Sequence, residues 1–526
     1  MESPTSSVAM HPDVGGFCNW DICRLILASL PAGSLLQMAC VSKSLAEEAF
    51  RERLARPIRL RTYEQLKSFY NFVFSGHSAR LLASLYVRTL VLDMPCYAGS
   101  GPSTISRGEL AQLVDVFKNL EHLEILECDW LLLEDPQLSV VVASFTTLRS
   151  LNIGWIQVMR FPSEAHVAFV NMFATMRSTL DSLRLPLDHT WIPTDQAGAT
   201  FLQGLATIQT RLRELSLSTS RLPSLDIPFA SVARLDLKLA REYPRVRNIY
   251  RAFPNARDIS IRGKSSIPML SLELTEAEIE ARRLVEEDCR HGDVWRSLDV
   301  LTTSFEYLSV FAITCPVRRL VSTDSRLGTW FWGDHGVELL SRLRPRQLDI
   351  AIDCHGPLEE SRAPLYSRIF VNESASGSSA YKVAHLFARM WYRSSPGYTM
   401  PDTRAVIDVL RRLLSVSQVK LLHIGLYDPS IDGEPEYHPL SARATMLFRE
   451  KLVRWMAGID LSAVVRAVVD FCPSLRIVVI NPSINPDDRY WKINRTGELV
   501  EIEEVGPYAG REMVAREEAR LLRLWQ

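Results

Sequence analysis

The sequence lacks an excess of charge of either sign, and it lacks long apolar runs. Its 526 residues include 60 basic and 61 acidic side chains, which leaves a formal net charge of −1 at pH 7. A chain this close to neutral has no electrostatic basis for binding a nucleic acid or an anionic membrane. No apolar stretch is long enough to span a membrane, and the polar start "MESPTSSVAMHPDVGG" does not have the order of a secretory signal. We therefore expect no membrane span and a cytoplasmic or nuclear protein.

Paired cysteines and catalytic signatures are also missing. The nine cysteines are widely spaced and form no C-x-x-C motif, so we expect neither a disulfide framework nor a zinc knuckle. No H-E-x-x-H or G-x-S-x-G motif occurs. The segment "RGKS" (262–265) fails as a phosphate loop because Asp258 stands where the first glycine is required. We expect a chain that is not an enzyme and that holds no metal or cofactor.

What the sequence does contain begins with three short helical patterns in residues 21–50. Ile22, Leu25, Ile26, Ser29 and Leu30 fall at helical spacing and form one apolar stripe. The proline and glycine of residues 31–33 end this helix. Capping-box spacing at residues 34 and 37, and again at 44 and 47, predicts the starts of a second and a third helix. Helices this short are stable only when they pack on one another.

This stretch resembles an F-box, the three-helix module that docks onto the Skp adaptor of SCF-type ubiquitin ligases. The resemblance covers residues 17–56 and follows the family pattern without gaps at Asp21, at Ile22, Ile26 and Leu30, at Ser34–Leu36, and at Val41–Lys43. Two positions depart from it, since Cys18-Asn19 replaces the usual Leu-Pro opening and Leu45 replaces a late tryptophan. The resemblance implies that the adaptor, and through it a cullin and a RING subunit, are bound by Trp20, Asp21, Ile22, Ile26, Leu30, Leu35, Leu36 and Val41. A plain helical cap on the next domain is the alternative.

A second pattern, L-x-x-L-x-L, recurs through the rest of the chain. Clear copies are "VRTLVL" (87–92), "LEHLEI" (120–125), "LRSLNI" (148–153), "LDSLRL" (180–185) and "LRELSL" (212–217). Weaker copies lie at 232–237, 256–261, 305–310, 419–424 and 474–480. The middle apolar residues of the first seven fall at 90, 123, 151, 183, 215, 235 and 259, and helical patterns at 107–117 and 164–176 separate some of them. This alternation resembles irregular leucine-rich repeats, although an ordinary α/β domain has similar motifs.

We therefore predict an α/β chain, in which a three-helix F-box-like module precedes an irregular leucine-rich-repeat solenoid of parallel strands with helices outside. The predicted boundaries are a disordered start (1–16), the F-box-like module (17–56), connecting helices (57–84), the repeat domain (85–480) and a C-terminal hairpin and helix cap (481–526). Composition places insertions in the repeat domain near 262–300 and 353–403. The hairpin is predicted to turn at residues 496–497, and the last helix to cover 509–525.

The functional expectation follows from the resemblance. It implies a substrate-recognition subunit of an SCF-type ligase, similar to fungal F-box proteins with leucine-rich repeats, whose repeat domain binds an unknown target protein. The aromatic segment "GTWFWGDHG" (328–336) is the candidate target contact, through Trp330, Phe331 and Trp332, because tryptophan is enriched at interface hot spots. The alternative is a non-catalytic repeat scaffold unconnected to ubiquitin ligation. An exposed apolar stripe at 22–36 favours the ligase subunit, because such a stripe needs a partner, and a buried stripe favours the scaffold.

Overall fold

The structure is a computed structural model with a mixed α/β fold. It describes residues 20–94, 106–133, 135–154, 171–186, 210–219, 228–239, 246–263, 294–304, 315–323, 334–353, 383–391, 402–414, 417–427, 458–482 and 488–523, with single residues and pairs between 205 and 208, 279 and 287, 307 and 313, and at 454–455. The chain divides into two compact units, residues 1–184 and 185–526. The predicted disordered start lies outside the described residues.

Three short helices open the first unit, as the sequence predicts. They are α1 (Trp20–Ser29), α2 (Ala32–Ala39) and α3 (Lys43–Ala55). The predicted start of α2 is nearly one turn too late, and that of α3 is about half a turn too late. The carbonyl of Pro31 accepts from the backbone N–H of Leu35, so α2 begins directly after the proline. Ser42 has an extended backbone and its Oγ accepts from the N–H of Leu45, so Ser42 caps α3.

The rest of the first unit alternates strands and helices. Its elements are β1 (Ile58–Leu60), α4 (Tyr63–Phe74), α5 (His77–Tyr86), β2 (Thr89–Leu92), α6 (Arg107–Lys118), β3 (Ile125–Asp129), α7 (Trp130–Leu133), α8 (Pro136–Ser144), β4 (Ser150–Gly154) and β5 (Ser182–Pro186). The strands pair in parallel in the order of the sequence, and the division between the units falls within β5. The helix predicted at 107–117 is confirmed as α6, whose capping box joins Ser106 and Glu109. The segment predicted as connecting helices holds α4 and most of α5, but it also holds β1.

The second unit continues the alternation with longer strands. Its elements are β6 (Glu214–Thr219), β7 (Arg234–Leu239), α9 (Val246–Ala252), β8 (Asp258–Gly263), β9 (Leu298–Thr303), β10 (Val317–Ser322), α10 (Asp334–Leu343), β11 (Gln347–Asp353), β12 (His385–Trp391), α11 (Thr403–Leu414), β13 (Leu421–Tyr427), α12 (Leu461–Phe471), β14 (Ile477–Pro482), β15 (Arg489–Thr496), β16 (Leu499–Val505) and α13 (Pro507–Arg523). Strands β6 to β14 pair in parallel in sequence order, and β15 and β16 follow antiparallel.

One aliphatic position repeats in register along the strands of each unit. In the first unit the column is Ile58, Leu90, Leu126, Leu151 and Leu183. In the second unit it is Leu215, Leu235, Ile259, Leu301, Leu320, Leu348, Leu386, Leu422 and Val478. Each of these side chains is at most 5% exposed. The column is the middle position of the L-x-x-L-x-L pattern, so stacking of identical positions between neighbouring strands forms the core.

Three strand predictions are wrong, and each has a physical reason. The middle residue of the second copy is Leu126 rather than Leu123, because β3 begins at Ile125 and Leu123 lies in the turn before it. The predicted copy at 305–310 has helical residues at 307–308, and the strands of that region are β9 and β10. The predicted insertion at 353–403 contains β12, whose polar His385 and Arg389 interrupt the apolar pattern although His385 is buried.

The predicted hairpin and final helix are found, with the turn one residue later than predicted, and their role as a cap stays a prediction. Strands β15 and β16 form a hairpin with a turn at residues 497–498, and the φ of 63° at Gly497 is in the left-handed region that favours glycine. Helix α13 follows and contacts β15, and its Met513 and Val514 pack against a buried cluster that includes Ile477 and Tyr490. Of the helices in the described part of the chain, none has both the length and the apolar content needed to cross a membrane.

Candidate partner-binding site

The three-helix module has a small core of its own. Leu27 of α1, Leu35 of α2 and Ala49 of α3 are almost completely buried against one another. Leu30, Met38 and Ala39 pack around them and stay partly exposed. The core therefore uses one residue of α1 that lies outside the predicted apolar stripe, namely Leu27.

Arg56 holds the end of α1 against α3. It is the C-cap residue of α3, and its guanidinium donates to the carbonyl oxygens of Leu27 (3.1 Å), Ala28 (2.7 Å) and Leu30 (2.5 Å). The last carbonyls of a helix have no partner within the helix and carry partial negative charge. One arginine therefore satisfies three of these acceptors and joins the two ends of the module.

A second arginine, Arg24, joins the middle of α1 to α3. The guanidinium of Arg24 donates from two nitrogens to Oε1 of Glu48 on α3, at 3.0 and 3.3 Å, and this carboxylate raises the pKa of Arg24. Arg51 donates to the same oxygen at 3.1 Å. Because the Arg24 side chain is 55% exposed, the pair contributes orientation more than stability, although Glu48 is only 16% exposed. Helix α1 is held at its middle, at its C-terminal end and through Leu27.

Held in this way, the module leaves a set of large apolar side chains in solvent. We call these the N-terminal apolar residues: Trp20, Ile22, Leu25, Ile26, Leu36 and Val41, which are 42–71% exposed. Three of them, Ile22, Leu25 and Ile26, lie on one face of α1 at helical spacing. The predicted stripe is therefore on the outside of the module.

The predicted site residues divide into two groups. The first group is exposed as expected and consists of Trp20, Ile22, Ile26, Leu36 and Val41, together with Asp21 in the first turn of α1. Leu35 does not belong with them, because it is 0% exposed in the core of the module. Leu30 is only partly exposed, since it packs on that core. The most exposed member of the set, Leu25, is missing from the predicted site although it belongs to the same stripe.

The candidate target contacts have a different outcome. Trp330, Phe331 and Trp332 lie outside the described residues.

In the second unit, the sheet face opposite the aliphatic column carries a charged row at β6–β8, where Arg234 lies 3.0 Å from both Glu214 and Asp258. The two carboxylates raise the pKa of Arg234, with the hydrogen bond to Asp258 the larger cause. Arg234 therefore bridges two carboxylates, and these three side chains together keep one net negative charge.

The same face becomes aromatic and more buried at β12 and β13. The rings of His385 and Phe387 lie 4.4 Å apart, and those of Phe387 and His423 lie 4.8 Å apart. Burial, followed by the charges of His423 and Arg319, lowers the pKa of His385 to about 3. Among the described residues neither ring nitrogen of His385 has a hydrogen-bond partner. The described residues hold no group of three metal-ligating side chains. Burial keeps the imidazole of His385 neutral in the core.

Comparison with known proteins adds no assignment. No protein-family model matches the chain, and no curated protein matches it. The function is therefore proposed from the residues and their geometry.

Proposed function

We propose that the chain is the substrate-recognition subunit of an SCF-type ubiquitin ligase. In this proposal the N-terminal module docks onto the Skp adaptor, and the strand-rich remainder binds a target protein. The observation that supports it best is the exposure of the N-terminal apolar residues, four of which lie on a helix that three contacts hold in place. A subunit of this kind works in the cytoplasm or the nucleus.

The exposed residues support a protein partner for an energetic reason. Complete burial of one isoleucine or leucine side chain stabilises by about 1.5–3 kcal/mol. Six large apolar side chains left about half in water therefore represent several kcal/mol of unused burial, and monomeric proteins seldom leave such a patch uncovered. Because α1 is already held against α3, docking requires little further ordering, which favours affinity.

The strands support the second part of the proposal. The in-register aliphatic columns, the parallel order and the irregular spacing of the strands fit leucine-rich-repeat-like solenoid units. Such arrays present the strand face and the loops as a binding surface. The chain then performs no covalent step itself. It holds the target near the ubiquitin-conjugating enzyme and so raises the effective concentration of target lysines.

Co-purification of the full chain with the purified Skp adaptor tests the proposal. Leu36→Asp places a charge among the N-terminal apolar residues, and Leu81→Asp is a matched control because both leucines are 50% exposed. We expect the wild-type chain and Leu81→Asp to retain the adaptor and Leu36→Asp to lose it, with equal circular dichroism for all three. Failure of the wild-type chain to retain the adaptor, or equal recovery with Leu36→Asp, contradicts the proposal and leaves a repeat scaffold.

A further inference from the structure

The last strand of the second unit has one side of its backbone free. Strand β16 (Leu499–Val505) pairs with β15 over seven residues, and among the described residues no other strand pairs with it. Its side chains are mostly exposed, with Leu499 at 76%. An open edge of this length is a template for another extended chain.

The hairpin geometry identifies which backbone groups face outward. Thr496 and Leu499 close the two-residue turn, and such a turn closes on a hydrogen-bonded pair. Hydrogen-bonded and non-hydrogen-bonded pairs then alternate along an antiparallel ladder. It follows that Val500, Ile502 and Glu504 direct their N–H and C=O groups away from β15, toward the open edge.

The strand itself carries charge of one sign, although Arg516, Arg520 and Arg523 of α13 line one cavity together with Glu503. Residues 498–505, "ELVEIEEV", contain four glutamates and no basic residue. Arg489 holds Glu504 through two hydrogen bonds of 2.8 Å. Within the described part of the chain, Glu498, Glu501 and Glu503 have no ion pair, although Lys492 lies directly across from Glu503 in the register.

The two faces of the strand differ in character. Successive side chains of a strand point to opposite faces, so Glu501 and Glu503 share one face with Leu499. The other face carries Val500, Ile502 and Glu504, whose carboxylate is already paired with Arg489. An added strand therefore meets the carboxylates of Glu501 and Glu503 on one side, and on the other side the aliphatic Val500 and Ile502 beside a neutralised Glu504.

We propose that β16 binds an extended peptide segment of a partner as an added strand, and that this segment alternates basic and aliphatic residues. Its backbone pairs with Val500, Ile502 and Glu504, its basic residues lie beside Glu501 and Glu503, and its aliphatic residues lie beside Val500 and Ile502. A second copy of this chain does not fit, because two such strands place glutamates beside glutamates. The proposal does not depend on docking to the Skp adaptor.

The test uses the full chain and three fluorescent seven-residue peptides. The first alternates lysine and valine, the second has the same lysines and valines in two separate blocks, and the third alternates glutamate and valine. Fluorescence anisotropy is expected to show the alternating basic peptide binding about tenfold or more tightly than either of the others. Equal binding of the two basic peptides would mean general charge attraction, and it would overturn the proposal.

Two variants locate the site. Val500→Pro removes one outward N–H, whereas Val500→Thr keeps it, so only the proline variant is expected to lose affinity, by about tenfold. The double variant E501K/E503K keeps the backbone edge and is expected to prefer the acidic peptide. Unchanged preference in the double variant, or equal affinity of the proline and threonine variants for the alternating basic peptide, contradicts binding at this edge.

Discussion

The adjacent leucines of α2 provide a sharp test of how the N-terminal module is built. Leu35 is fully buried between α1 and α3, and Leu36 is 50% exposed. Replacement of a buried leucine by alanine costs about 2–5 kcal/mol, because burial is lost and a cavity remains. The same replacement at Leu36 removes at most about half of a transfer energy of 1.5–3 kcal/mol. Leu35→Ala is therefore expected to destabilise the module by about 1–4 kcal/mol more than Leu36→Ala.

Hydrogen exchange of the amides in residues 20–55 measures this difference, because it reports opening of the module apart from the rest of the chain. We expect Leu35→Ala to speed exchange throughout α1, α2 and α3, and Leu36→Ala to leave it close to wild type. Both changes substitute alanine for leucine in the same helix, so intrinsic helix propensity cancels. Equal acceleration by the two variants, or a larger effect at Leu36, would refute the packing described above.

Three further predictions concern other contacts. Arg56→Gln is expected to destabilise the module by about 1–3 kcal/mol, because it removes charged donors from three carbonyls. Arg53→Gln, in the last turn of the same helix, is the control and is expected to have little effect. Thermal unfolding of the two variants measures the difference. Burial lowers the pKa of His385 from 6.5 to about 3, so between these pH values the unfolded chain binds more protons than the folded chain. The free energy of unfolding is therefore expected to fall by up to a few kcal/mol as the pH is lowered from 6.5 to 3. Urea unfolding against pH is expected to show a weaker decline in His385→Leu, and an unchanged decline would count against the burial of a neutral imidazole. Gly510→Ala brings a methyl group within 2.1 Å of a tyrosine ring and is expected to lower the melting temperature, whereas Gly506→Ala meets no atom within 4 Å and serves as the control.

The repeat pattern predicts much of the fold because its middle position is a stacked aliphatic. Where all three positions of the motif are aliphatic, as in "LRSLNI", the strand is found where expected. Strands β9 and β10 place Thr303 and Ser322 at the third position. A buried hydroxyl residue there has no apolar signature, so these two strands were not predicted.

The candidate site is predictable in part. Spacing identifies the stripe of Ile22 and Ile26, but it does not say whether that stripe faces a core or solvent. The choice depends on Leu27, which contacts Leu35 and Ala49 and so turns the stripe outward. The contacts of Arg56 join residues 26–29 positions apart, and no local pattern encodes them.

We propose that the exposed apolar face of α1 and α2 is the docking surface for the Skp adaptor. Hydrogen exchange of the full chain, with and without saturating adaptor, tests it most directly. We expect adaptor to slow exchange in residues 20–39, and to leave exchange in α5 (His77–Tyr86), which carries the exposed Leu81, unchanged. Unchanged exchange in residues 20–39 would contradict the claim.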